Sequence, residues 1–125
     1  MDWVVQIGLV ELALAGLLGW AMVIRGEKPE WLRRIGIVAP QRIRQVHLDY
    51  VMMGLILIGV GLAVPDLPTA VAAALVFGTL VNPFLFVPLA FDPDAEKRLW
   101  YRVLATVSFI AVSGGLVAAA IVGPG

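Results

Sequence analysis

The residue with the clearest capacity for chemistry is His47, the only histidine in this chain of 125 residues. A neutral imidazole can bind a metal ion or a haem iron through one ring nitrogen. On an α-helix, residues three and four positions apart share a face, which places Val51, Gly54, Ile58 and Gly61 below His47. The two glycines predict either a flat surface for a planar ligand or notches into which another helix packs. Without a ligand, His47 would be an ordinary interfacial hydrogen-bonding residue.

Three further polar residues lie in or beside apolar stretches: Glu11, Asp49 and Asn82. A carboxyl group at membrane depth is expected to face the bundle interior or a cavity. Glu11 is therefore either functional or a neutral acid hydrogen-bonded between helices. Asp49 is either a common helix-start residue or the group that orients His47. Asn82 precedes Pro83, which predicts a kink nearby, with the amide of Asn82 bonded to a freed backbone carbonyl.

Composition decides the environment of these residues. The chain is 61% hydrophobic and 14% charged, its formal net charge is zero, and its mean hydropathy is +0.95. These values are typical of an integral membrane protein. The absence of a basic surface excludes a nucleic-acid partner, and the absence of cysteine excludes thiolate metal sites and disulfides. The lipid bilayer is therefore the predicted surrounding medium.

Four apolar segments are long enough to cross a bilayer, which takes about 20 residues of helix. Their predicted bounds are residues 3–24, 46–64, 69–91 and 99–122. Polar loops separate them, and in the last loop Asp94 is the expected helix N-cap. The fold class is thus all-α, a single four-span transmembrane domain (residues 1–125) folded as a helix bundle.

Lysine and arginine set the predicted orientation of the bundle, because cytoplasmic loops are enriched in both. Residues 25–44 hold six of them and residues 97–102 hold three, whereas the termini and the turn at Pro65 hold none. Both termini should therefore lie away from the cytoplasm, in a bacterial inner membrane. The aromatic residues expected at the cytoplasmic boundary are Trp20, Trp31, Trp100 and Tyr101.

Small residues in the spans predict close helix packing, among them Gly16 and Gly19 in the first span. A single bundle of this size has little interior for a ligand. A binding pocket is therefore expected between subunits of an oligomer.

Three segments carry a resemblance to known families: residues 47–54, 61–65 and 77–83. They resemble the styrene oxide isomerases and hydroxylaminobenzene mutases, which are small four-span membrane enzymes. The resemblance implies a homotrimer with haem b between subunits, a His47 imidazole on the iron, and a small apolar or aromatic substrate. It further implies that Gly54 and Met53 lie beside the cofactor and that Asn82 acts in catalysis. Arg42 and Arg44, just before His47, are then expected to meet the propionates of the cofactor.

Three positions depart from the pattern of these enzymes: Met53, Gly78 and Phe86 stand where the relatives place polar groups. Met53 is interpreted as a packing residue, since Met usually is. Three functions stay open. The first is an isomerase in which ferric haem acts as Lewis acid on an epoxide, and the second is a non-catalytic haem protein for sensing, storage or electron transfer. The third is a structural or transport subunit without a cofactor.

Overall fold

The computed structural model describes residues 2–125, which contain α-helices and no strand. The α-helices are α1 (Asp2–Glu27), α2 (Pro29–Arg34), α3 (Gln41–Ala63), α4 (Thr69–Phe84), α5 (Phe86–Phe91) and α6 (Leu99–Val122), and a 3-10 helix (Pro93–Lys97) precedes α6. Four helical segments are long and apolar enough to cross a membrane, with α4 and α5 together counted as one. The all-α prediction and the four apolar spans are confirmed.

The central element of the bundle is α3. It packs extensively against α1 on one side and against α4 and α5 on the other, while α4 also pairs with α6. Val4, Leu57, Leu75 and Ala119 form the apolar core where these helices meet. Because α1 and α4 flank α3, residues on opposite sides of α3 face different neighbours.

Glycines set the distance between α1 and α3. A Cβ atom on Gly54 would lie 2.9 Å from the carbonyl oxygen of Gly8, and one on Gly61 would lie 2.7 Å from Cγ2 of Val5. Glycine removes the side chains that would otherwise hold two helices apart. Of the two interpretations of the glycine face below His47, helix packing accounts for these contacts. Gly16, in contrast, has nothing within 4 Å of where its Cβ would be.

The break in the third span lies at Leu85, beyond the predicted kink at Asn82. Helix α4 continues through Pro83 to Phe84. Tyrosines supply the hydrogen bonds to backbone carbonyls around the break: the Tyr50 hydroxyl donates to Leu80 O at 2.8 Å, and Tyr101 donates to Leu85 O at 2.9 Å. The prediction that Asn82 fills this role is wrong, since the Asn82 side chain contacts Ser108.

Tyr101 is buried, with 9% of its surface exposed, and its hydroxyl bonds inside the bundle. One smaller prediction also needs correction. The helix cap in the last loop is Asp92, whose Oδ1 accepts from the Asp94 backbone N–H at 3.1 Å. Asp94 therefore lies inside the 3-10 helix, and α6 begins at Leu99 without a side-chain cap.

Candidate functional site

His47 is held by a single hydrogen bond to the neighbouring helix. Its Nδ1 lies 2.7 Å from the carbonyl oxygen of Ala15 in α1. A carbonyl oxygen only accepts, so Nδ1 carries a proton, and in the neutral ring Nε2 then has the free electron pair. Metal-binding histidines commonly have this arrangement, with one ring nitrogen bonded to a backbone carbonyl and the other on the metal. The orienting group is Ala15; Asp49, two residues along the helix, is about 200° away around its axis.

Two glycines of α1, Gly16 and Gly19, form a short strip without Cβ atoms near this imidazole. A Cβ on Gly19 would lie 3.7 Å from Cε1 of His47, and Gly16, three residues earlier, opens onto free space. Arg44 lies three residues before His47 on the same side of α3 and is exposed. Within residues 2–125 it makes no ion pair, whereas Arg42 turns away towards Gln45 and Glu96. The half-buried His47 imidazole thus lies near the glycine strip of α1. The exposed guanidinium of Arg44 lies about one helical turn before it on α3.

Met53 and Gly54 are both covered by helix packing. Gly54 lies on the His47 side of α3, whereas Met53 lies about 120° around the helix from the imidazole. Met53 is 8% exposed and belongs to the buried interior, and Gly54 is in contact with Gly8 and Leu12 of α1. Within one chain, these two residues do not join the flat strip next to His47. Their interpretation as packing residues fits this placement.

Asn82 belongs to a groove between α3 and the third span. The groove has a volume of about 380 Å³ and is lined by Gln45, Leu48, Asp49, Met52, Asn82 and Phe86. The Ser108 hydroxyl donates to Oδ1 of Asn82 at 3.4 Å, which ties the amide to α6. His47 faces α1, so the structure does not bring His47 and Asn82 together within one chain. A site that uses both would need a second copy.

The hydrogen-bonding partner of Glu11 is a residue that the sequence pattern did not indicate. As predicted, Glu11 faces the interior, with 0% of its surface exposed, and its Oε2 lies at hydrogen-bond distance, 3.0 Å, from Thr79 Oγ1. Thr79 lies in an apolar stretch of α4. Threonine is common in membrane helices, so its presence there does not by itself predict a polar contact. A buried carboxyl group needs a hydrogen-bonding partner on a facing helix. That requirement could have directed attention to the hydroxyl of Thr79 in the apolar α4.

Among the described residues, no three His, Cys, Asp or Glu side chains converge to hold a metal ion. His47 thus belongs to no such cluster within the described part of the chain, and a haem iron takes a single protein ligand on one side. No protein-family model, curated protein or solved structure matches this chain. The resemblance to the four-span isomerases and mutases rests on the residues of spans two and three alone.

Proposed function

We propose that this protein is an integral membrane haem b protein in which His47 binds the iron. The observation that carries the proposal is the Nδ1 contact of 2.7 Å to Ala15 O. It fixes the ring orientation and leaves Nε2 as the free ligand atom. The bare strip at Gly16 and Gly19 supports this role, because a planar macrocycle can lie only where side chains do not project.

Arg44 is the residue proposed to hold a carboxylate group of the cofactor. Arginine forms paired, charge-assisted hydrogen bonds with carboxylates, and this guanidinium is exposed on the side of α3 that carries His47. The proposed ligand and the proposed anchor therefore lie on one surface of the chain.

The protein is further proposed to be a homo-oligomer, a trimer by resemblance. Within the described part of one chain, only α1 and α3 lie next to His47, so the proposed site is open on its other side. Asn82 lines a groove on another side of α3. A neighbouring copy would close the site and could bring its own Asn82 or Met53 towards His47. Closed cyclic symmetry is the usual result of such repeated contacts.

The proposed reaction is an isomerisation of a small apolar or aromatic substrate that reaches the site from the bilayer. A ferric iron held by His47 would supply Lewis acidity towards an epoxide oxygen. Asn82 would position the substrate by hydrogen bonding. A non-catalytic haem protein is the alternative, favoured by Met53, Gly78 and Phe86 at positions where the relatives carry polar groups. The proposed location is a bacterial inner membrane, with both termini away from the cytoplasm.

The absorption spectrum of the protein purified with haem supplied during expression tests haem binding. We expect a Soret band that His47→Gly removes and that added imidazole restores, since free imidazole can fill the space left by the ring. Leu55→Ala, an exposed position on α3, should leave the band unchanged. A colourless wild-type protein that also fails to take up hemin would overturn the proposal, as would an unaltered spectrum in His47→Gly.

Native mass spectrometry of the same sample reports the subunit count and the haem content together. Haem retained by a monomer would contradict the intersubunit site. Turnover of styrene oxide then separates the isomerase from the non-catalytic alternative, and Asn82→Ala should abolish any activity found.

A further inference from the structure

The most unusual group in the bundle is the carboxyl of Glu11. It lies about 13 Å along α1 from Asp2, at about 1.5 Å per residue, and none of its surface is exposed. Oε2 contacts Thr79 of α4, whereas Oε1 is buried without a hydrogen-bond partner among the described residues. An ionised carboxylate at this depth would leave a charged oxygen without a partner in an apolar medium, which is strongly unfavourable.

The geometry around Thr79 provides a second, independent indication. Its Oγ1 lies 3.0 Å from Glu11 Oε2 and 3.2 Å from the backbone carbonyl oxygen of Val76. A hydroxyl group has one proton and can donate only one such bond at a time. The Val76 carbonyl can only accept. Both contacts are therefore hydrogen bonds at once only if the Glu11 carboxyl supplies the second proton.

A bound metal cation does not fit this position. Ca²⁺ takes about 6–8 oxygen ligands, and the oxygens gathered here are the two of Glu11, Thr79 Oγ1 and the Val76 carbonyl. No cluster of three acidic or imidazole side chains occurs within the described chain. A proton, in contrast, needs only two oxygens, and Glu11 Oε2 and Thr79 Oγ1 already lie 3.0 Å apart.

The surrounding ionisable groups come from α3. Asp49 and Tyr50 are the acidic neighbours that interact electrostatically with Glu11, and the Tyr50 hydroxyl is already bonded to Leu80 O. Helix α4 has no charged residue. Arg42, Arg44 and His47 of α3 are not among the groups that act on Glu11, so no cation of a facing helix pairs with this carboxyl in the described part of the chain.

We propose that Glu11 and Thr79 form a proton-binding site in the middle of the bundle. Glu11 is a neutral carboxylic acid in the folded protein: its O–H donates to Thr79 Oγ1, and the Thr79 O–H donates to Val76 O. Oε1 is then an uncharged carbonyl oxygen. The site links α1 to α4 and holds one proton. It does not depend on haem at His47.

Infrared spectroscopy of the purified protein at neutral pH tests this directly, because a neutral carboxylic acid has a C=O stretching band separate from that of a carboxylate. We expect this band in the wild-type protein and its loss in Glu11→Gln, a neutral variant of the same shape. Asp49→Asn is the matched control and should retain the band. A wild-type spectrum without the acid band, or a band that survives in Glu11→Gln, would overturn the proposal.

A variant of Thr79 keeps the test decisive if Glu11→Gln does not fold. Thr79→Val removes the hydroxyl and retains the shape, so the acid band should move to higher frequency as the Glu11 O–H loses its acceptor. Thr79→Ser should leave the band in place. An identical band position in Thr79→Val and the wild type would show that the Glu11 O–H does not donate to Thr79. That result would overturn the proposed proton-binding site.

Discussion

The glycine contacts at Gly54, where α3 meets α1, and at Gly115, where α6 meets α4, differ in what lies opposite the glycine. At Gly54, the nearest atom is the backbone oxygen of Gly8. At Gly115, the nearest atoms all belong to the Leu75 side chain. Backbone cannot move without shifting a whole helix, whereas a leucine side chain can change rotamer. These two glycine positions are thus expected to differ in their tolerance of substitution.

The largest expected effect is that of Gly54→Ala. The added methyl would lie 2.9 Å from Gly8 O and 3.0 Å from Cγ of Leu12, so the helices must separate. Overpacking of this kind costs about 1–3 kcal/mol. The free energy of unfolding in mixed detergent micelles is the measurement. Gly59→Ala, on the same helix with nothing within 4 Å, is the control, and it should be neutral or stabilising by up to about 1 kcal/mol.

Gly115→Ala tests the difference between the two glycine positions. Its methyl would meet only Leu75 side-chain atoms, the closest at 2.7 Å, and we expect a loss below that of Gly54→Ala. Gly114→Ala, which meets nothing within 4 Å, is the control on α6. Equal losses for Gly54→Ala and Gly115→Ala would show that contact with backbone does not set the cost at these two positions.

The next effect concerns the two tyrosines that bond to carbonyls near the break in the third span. Tyr50→Phe and Tyr101→Phe each remove one hydroxyl donor, to Leu80 O and Leu85 O respectively. A hydrogen bond of this kind contributes about 0.5–1.5 kcal/mol. We expect the free energy of unfolding to fall by such an amount in each variant. The losses should add in the double variant, because the two bonds share no residue; strong non-additivity would contradict two separate contacts.

The smallest effect is expected outside the bilayer. Lys97 and Asp94 form an ion pair at 3.6 Å with both side chains largely exposed, and such pairs contribute about 0.3–0.5 kcal/mol. Lys97→Ala should therefore change the free energy of unfolding little, and added salt should reduce the difference further. A loss as large as that of Gly54→Ala would contradict the view that stability resides at the helix contacts within the bundle.

The sequence by itself determined the class of structure. The composition and four long apolar segments are sufficient for an all-α bundle, because a spanning chain must satisfy its backbone hydrogen bonds internally. The last span was predicted with the bounds of α6, residues 99–122. The interior position of Glu11 also followed, since an exposed carboxyl in hydrocarbon is too unfavourable.

Only the tertiary structure decided which neighbour each polar or small residue meets. Helical periodicity places Gly54 on the His47 side of α3, but it cannot tell whether another helix or a ligand covers that residue. In the structure, Gly8 of α1 covers Gly54. In the same way, the pairing of His47 with Ala15 O and of Glu11 with Thr79 joins residues far apart in sequence. Such pairs depend on which helices pack together and at what register, and a single sequence pattern contains neither quantity.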